Sequence, residues 1–296
     1  MTVISVIIPH LNQPDALEAC LASLDAQCFP RAGFEVIVVD NGSRALPHET
    51  VARHGARLIE ERRPGPGPAR NAGIATAQGE ILAFIDADCR ADVNWLDSVA
   101  RRLPPCPPGS VLGGDVRIWN AGDERVGAIE AYESVFAYRF KLYIEKHGYS
   151  GTGNLAMYRR DFEAVGPFGG IDVAEDMDWG RRARAAGRRF VYVPEMIVFH
   201  PARRTLRELY AKWDRQILHY WRMGQGGSVW RLRWAVRALL VLASPAAGVI
   251  TVLASDRIVG AGPRLSAIAV MCVVRAHRAA TMLSLLGGER KIAWNR

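Results

Sequence analysis

Residues 79–89 read Gly79-Glu80-Ile81-Leu82-Ala83-Phe84-Ile85-Asp86-Ala87-Asp88-Cys89. The apolar run 81–85 is unbroken and stops at two carboxylates spaced i, i+2. Such a run predicts a strand buried on both faces of a parallel sheet. Open α/β sheets bind ligands at the carboxyl ends of their strands, where Asp86 and Asp88 fall. Side chains two apart on an extended segment point the same way, so both carboxylates can serve one ligand. Hard divalent ions such as Mg2+ or Mn2+ take oxygen ligands and bridge to substrate phosphates. A solvated turn that caps a helix starting near Asp92 is the other reading of the same residues.

Upstream, residues 3–8 predict a buried strand ended by Pro9, His10, Asn12 and Gln13. From Asp15 a helical pattern carries Leu17, Cys20, Leu21 and Leu24 on one face. Residues 34–39 predict a second strand, and it too ends in an acid, Asp40, before Asn41-Gly42-Ser43. A weaker strand over 57–60 leads into a Pro/Gly loop, 62–68, and then a helix that contains Arg70. A helix N-terminus beside arginines suits an anion such as a pyrophosphate. The loop matches neither the Walker phosphate loop nor the dinucleotide GxGxxG pattern. Strands and helices that alternate with short connections predict a sheet wound with helices.

Downstream, a strand is expected over 111–119, an aromatic-rich helix over 124–146, and a glycine loop at 149–154 before another strand and helix. A second acidic cluster, Asp172, Glu175, Asp176 and Asp178, opens a helix that ends near Gly187. Acids at a helix start are favoured by the macrodipole; in a glycine-lined cleft the same carboxylates can act as a general base. Short strands are expected over 190–193 and 196–199, the second ending in His200-Pro201.

The 296 residues are 49% hydrophobic, which excludes disorder and allows a sizeable core. Five cysteines, scattered and odd in number, point to a reducing compartment. The first residues lack the basic start of an export signal and read as a strand. Much of the net charge of +8 lies in arginines between residues 181 and 237. No nucleic-acid module accompanies them, so nucleic acid is not an expected partner.

In order, Ser5-Val6-Ile7-Ile8-Pro9 with Asn12, Val38-Val39-Asp40-Asn41-Gly42-Ser43, Gly67-Pro68-Ala69-Arg70-Asn71-Ala72-Gly73 and the 79–88 stretch form a recognisable series. Gly153-Asn154, Gly166-Pro167-Phe168 and Glu175-Asp176-Met177-Asp178 complete it. Together they resemble family 2 of the inverting glycosyltransferases, from residue 3 to about 200. The resemblance implies the α/β GT-A fold, a Rossmann-like open mixed sheet with helices on both faces. It implies that Asp40 and the backbone near Pro9 hold the nucleotide base, that Asn12 belongs to the nucleotide-sugar site, that Arg70 lies beside the nucleotide, and that Asp86 faces the ribose or sugar. Asp88 of the DXD motif would bind the Mn2+ or Mg2+ that bridges the diphosphate. Asp176, with Glu175, would be the base, and Gly153, Asn154, Asp178 and Trp179 would line the acceptor side. His200 stands where many members carry a histidine that reaches the metal; a structural histidine is the alternative.

The implied activity is transfer of a hexosyl group from a nucleotide-diphosphate sugar, a UDP-sugar first, to a hydroxyl of a glycan or lipid-linked acceptor. Processive members carry Gln-any-any-Arg-Trp after the base. Here Leu209-Tyr210-Ala211-Lys212-Trp213 has neither the Gln nor the Arg, which favours one sugar per encounter. A sugar nucleotidyltransferase and a non-catalytic, membrane-attached scaffold are the competing readings. The first is disfavoured because Pro9-His10-Leu11-Asn12 replaces a Gly-rich loop with a lysine; the second because the acids are intact.

The expected organisation is a catalytic domain over 1–200, with a nucleotide-sugar half to about 90 and an acceptor half beyond, then a helical apolar tail over 201–296. In the tail, a basic helix over 205–223 precedes an uncharged run, 238–255, that Pro245 and Gly248 should kink. A second apolar stretch, 265–274, is too short to span a bilayer. A membrane hairpin, surface-lying amphipathic helices and a buried helical pair are all compatible with this pattern. Membrane association on the cytoplasmic face is the expectation.

Overall fold

In β1 (Ile4–His10), Ile4, Val6 and Ile8 point to one side of a sheet and Ile7 to the other, and all four are fully buried. The same alternation holds in β4 (Ile81–Ile85), where Ile81, Ala83 and Ile85 face one core and Leu82 and Phe84 the other. Burying such side chains contributes about 1.5–3 kcal/mol each, so helices must cover both faces. The computed structural model describes residues 3–119, 126–171, 173–224, 226 and 228–288. Residues 124 and 125 of the expected aromatic helix, and Asp172 of the second acidic cluster, lie outside these.

The chain divides into two units, one of residues 1–117 and 138–201, the other of residues 118–137 and 202–296. In the first, β1 pairs in parallel with β2 (Phe34–Asp40) and β4, and β2 with β3 (Arg57–Glu60). The crossovers carry α1 (Pro14–Asp25), α2 (His48–Arg53) and α3 (Pro66–Thr76). Beyond β4 come a short β5 (Arg90–Ala91), α4 (Trp95–Arg102) and β6 (Ser110–Trp119). β7 (Asn154–Tyr158) runs antiparallel to β4 and β6, and β8 (Arg189–Pro201) runs antiparallel to β5. The sheet is thus open, mixed and eight-stranded, in the order β3-β2-β1-β4-β7-β6-β8-β5. One face is covered by α1, α2 and α4. The other is covered by α3 and by two helices that follow β7 in sequence.

Three expectations are corrected by this fold. The strands expected over 190–193 and 196–199 are one, β8, whose backbone stays extended through Pro194. The helix expected over 124–146 is broken. α5 (Ala128–Phe136) stops at an extended Ala137, and Tyr138 takes a left-handed φ of 48°. A short α6 (Phe140–Leu142) then runs into a π turn, Tyr143–His147. The break falls where the chain leaves one unit for the other: Phe136 packs with Tyr132 and Leu209, Phe140 with Val116 and Ile144. After β7 come α7 (Arg159–Val165) and α8 (Glu175–Ala185).

The second unit is helical: α5, α9 (Leu206–Met223), α10 (Trp230–Ala243), α11 (Pro245–Leu253) and α12 (Ala261–Leu286). Thr205 caps α9 by accepting from the Glu208 N–H, while Glu208 accepts from the Arg204 N–H. The uncharged run bends by 44° between α10 and α11, where Pro245 cannot donate to the helix ladder. The short stretch 265–274 is corrected: it lies within α12, 26 residues long. The basic residues expected to end it instead turn inward. His277 bonds Asp214 of α9, and Arg278 lies over the Trp213 ring.

Candidate active site

β1 and β2 end level, with His10 opposite Asp40 in register. Gln13 donates its N–H to His10 Nε2 (3.3 Å), so Nδ1 carries the ring proton and donates it to Asp40 Oδ2 (3.0 Å). Asp40 Oδ1 accepts from the Gly42 and Ser43 N–H groups at 3.0 and 2.9 Å. Burial pushes this carboxyl up, but the hydrogen bonds from Ser43, His10 and Gly42 outweigh it and hold it below its ordinary value. Asn12, at φ 53°, donates its N–H to Ser43 Oγ and accepts from the Arg44 N–H. Asn41 joins this strand end to the following loop, donating to the Glu61 and Arg63 carbonyls and accepting from the Gly65 N–H. Pro9, half-buried, completes the edge.

Arg70 on α3 is 2% exposed and forks between the two acidic clusters. Its Nη2 donates to Asp86 Oδ1 at 2.6 Å and its Nη1 to Glu175 Oε1 at 3.0 Å. The N-terminal turn of α3 is fixed from below: a Cβ on Gly67 would sit 2.0 Å from the Gly169 carbonyl oxygen. Asn71 exchanges two hydrogen bonds with the Phe168 backbone. Gly153 lies directly against Asp86, and a Cβ there would come within 2.6 Å of Oδ2. Burial raises the Asp86 carboxyl; Arg70 opposes that rise and Asp88 adds to it.

Asp88 meets His200, at the end of β8, with Oδ2 3.3 Å from Nε2. His200 Nδ1 donates to the Pro201 carbonyl (2.7 Å), which fixes the ring so that Nε2 faces the carboxylate. A metal-binding imidazole commonly donates its other ring N–H to a carbonyl in this way, which fixes its tautomer and orientation. Cys89 joins the same group, with ligand atoms of Asp88, Cys89 and His200 all within 4.8 Å of one another. Burial holds the Cys89 thiol well above its ordinary value, and a soft sulfur is a poor match for a hard ion. Carboxylate oxygen suits Mn2+ or Mg2+, and a neutral imidazole nitrogen is compatible with Mn2+; Asp88, with His200 beside it, could therefore hold a divalent ion. The Tyr138 ring packs on His200 at 4.6 Å.

Asp176 follows Glu175 in the first turn of α8, and its Oδ1 accepts from the Met177 N–H at 2.7 Å. Burial, then the neighbouring Glu175 charge, lift its carboxyl to about 6. Asp178 instead pairs along the helix with Arg182 at 3.0 Å. Trp179 is 1% exposed, donates to the Gly166 carbonyl and packs among Phe162, Phe168 and Phe190. Asn154, fully buried, donates to the Asp115 and Met196 carbonyls and accepts from Trp95 Nε1. The fold thus brings Arg70, Asp86, Gly153, Glu175 and Asp176 into one chain of interactions, with Asp88 and His200 beside it. Asn154 and Trp179, expected on the acceptor side, lie inside the protein. Sequence reading passed over His10 and Tyr138; nothing near them in the sequence marks their contacts.

An open mixed sheet wound with helices, with acids at its strand ends, is the GT-A fold. The chain belongs to glycosyl transferase family 2, whose family model matches residues 5–166. The glycosyltransferase AglE of Haloferax volcanii is 33% identical over 251 residues, 81% of this chain and 78% of that protein. Among solved structures, a mannosyltransferase of Pyrobaculum calidifontis in complex with GDP-Man and Mn2+ superposes with a TM-score of 0.57 at 20% identity, covering 95% of this chain and 85% of that one. Glucosyl-3-phosphoglycerate synthase of Mycobacterium tuberculosis, in complex with Mn2+, UDP and phosphoglyceric acid, superposes with a TM-score of 0.53 at 23% identity, covering 77% and 80%.

Proposed function

We propose that the chain is an inverting, metal-dependent glycosyltransferase that moves one hexosyl group at a time from a nucleotide-diphosphate sugar to a hydroxyl of a glycan or lipid-linked acceptor. The observation that carries this reading is the Arg70 fork, which ties the strand-end acid Asp86 to Glu175 beside the raised carboxyl of Asp176. Catalysis is assigned to residues 1–200, donor binding to about 1–90 and acceptor binding to the remainder, with 201–296 as the attachment segment. The Asp40 shelf with Pro9 and Asn12 receives the base of a nucleotide, a UDP-sugar being the first candidate. Arg70 orients Asp86 toward the ribose and sugar. Asp88 and His200 would hold Mn2+ or Mg2+, which when bound offsets the charge of the departing diphosphate. Asp176 takes the proton of the acceptor hydroxyl as its oxygen attacks the anomeric carbon, and its value near 6 suits that task at neutral pH. Glu175 supports it, and Asp178 and Gly153 lie on the acceptor side.

Attachment is proposed to be peripheral, on the cytoplasmic face. α10 and α11 expose Leu232, Val236, Leu239, Leu240, Ile250 and Leu253, an apolar surface that an interfacial helix buries in lipid. Arg275 and Arg278 sit mid-way along α12, and a charged side chain at a bilayer centre costs about 2.5–3.5 kcal/mol or more; this favours lying on the membrane over crossing it. The test is the product. Incubation with UDP-, GDP- and dTDP-sugars and a lipid-linked acceptor should give a single added sugar with inverted anomeric configuration by NMR; retained configuration would reject the mechanism.

A further inference from the structure

The helical unit carries a cationic cluster for which the transfer reaction has no use. Arg275 and Arg278 stand three residues apart on α12, on one face of the helix. The Arg278 guanidinium lies 3.7 Å over the Trp213 ring of α9, and that of Arg275 lies 5.9 Å from the Phe136 ring of α5. Arg237 of α10 covers the Tyr220 ring at 5.0 Å and is close enough to Arg278 to interact with it. Lys212 approaches the same Trp213 ring at 5.9 Å.

The acids packed around these cations are committed elsewhere. Glu133 takes Arg203 and Lys212, Asp214 takes His277 and Thr281, Glu130 reaches back to the Gly127 N–H, and Glu208 accepts from the Arg204 N–H. α10, α11 and α12 contain no acid at all. Among the described residues, none of Arg237, Arg275 and Arg278 has a carboxylate partner, and the Nε atoms of Arg275 and Arg278 are buried without a hydrogen bond. Guanidiniums held side by side, partly desolvated and unpaired, are costly. Their planar forks match the oxygens of a phosphate, and the same helices carry the exposed leucines that suit an apolar chain.

We infer that Arg237, Arg275 and Arg278, floored by Trp213, form a binding site for a phosphate or diphosphate head group, the lipid-borne form being favoured by the adjoining apolar surface. The site rests on the membrane reading above only for that lipid source; the cluster itself stands on its unpaired charges. The test uses the full chain with vesicles of phosphatidylcholine, with and without phosphatidic acid. Wild type should bind the phosphatidic acid vesicles about tenfold or more tightly than the neutral ones. R275Q/R278Q should lose that margin while keeping its binding to neutral vesicles. R207Q/R233Q, which removes the same charge from exposed positions, should keep it.

A second arm measures thermal stabilisation by inorganic pyrophosphate in the presence of a chelator. Stabilisation of wild type that R275Q/R278Q lacks, without a vesicle margin, assigns the site to a soluble phosphate. Should R275Q/R278Q fail to fold, R237Q, on an exposed residue, and the charge-preserving R275K/R278K carry the comparison, with loss expected in the first and retention in the second. Equal behaviour of variant and control in both arms overturns the site. Donor hydrolysis, read in parallel, should stay at the wild-type level in every variant, so a failure here is distinct from a failure of the proposed transfer reaction.

Discussion

In the proposed reaction, Asp176 is the residue on which the chemistry turns. Its carboxyl is lifted from 3.8 to about 6 by burial and by Glu175, so the ionised base is lost as pH falls through about 6. Transfer should follow that curve, and Asp176→Asn should bind donor normally while slowing transfer roughly 10²-fold or more. The linkage sign gives a second readout. Between pH 3.8 and about 6 the folded protein binds the extra proton, so stability declines as pH rises through that window. Asp176→Asn should therefore melt higher than wild type at pH 7, with the gap closing below pH 4. Gly153, on the proposed acceptor side, tests the donor site through its contact with Asp86: a Cβ 2.6 Å from Asp86 Oδ2 must displace that carboxylate. Gly153→Ala should keep its melting temperature and weaken nucleotide-sugar binding by up to about 10²-fold in calorimetry. Asp86 and Asp88 were legible in the sequence because an apolar run ends abruptly at both. The Arg70 fork was not, because its partners are brought together only when α3, β4 and α8 converge.

At the scale of elements, periodicity marked β1, β2, β4 and α1 because their side chains alternate between two cores or line one face. It misjudged elements whose limits are set by distant partners. Pro194 suggests a break, yet β8 continues past it. Arg275 and His277 suggest an end, yet α12 continues because Asp214, Trp213 and Phe136 receive the basic side chains. Asn154 shows the same limit. As Gly153-Asn154 it reads as a ligand loop, but its amide ties β6 and β8 to Trp95 of α4. Asn154→Ala orphans buried polar groups at about 1–3 kcal/mol each. It should destabilise the protein by about 3 kcal/mol or more in denaturant unfolding, with a change in tryptophan fluorescence.

For the molecule as a whole, the helical unit has a packed core of its own. Ile217, Leu218 and Trp221 of α9 share a core with Trp234 of α10 and Met282 and Leu285 of α12. Truncation near Gly226 would strip that core, so attachment is better tested at its surface. Leu240 and Ile250 are 65% and 69% exposed, and Leu240→Glu with Ile250→Glu should leave melting unchanged while releasing the protein from vesicles in flotation. Loss of fold in that variant would place the two side chains in a protein contact instead.

The central claim, that the strand-end acids run metal-assisted sugar transfer, is tested most directly by following nucleotide diphosphate release from UDP-, GDP- and dTDP-sugars. Release from at least one donor should require Mn2+ or Mg2+, stop on chelation, and be absent in Asp88→Ala, whose melting temperature should match wild type. Release that is indifferent to chelator and to Asp88→Ala, or pyrophosphate exchange in place of nucleotide diphosphate release, would contradict it.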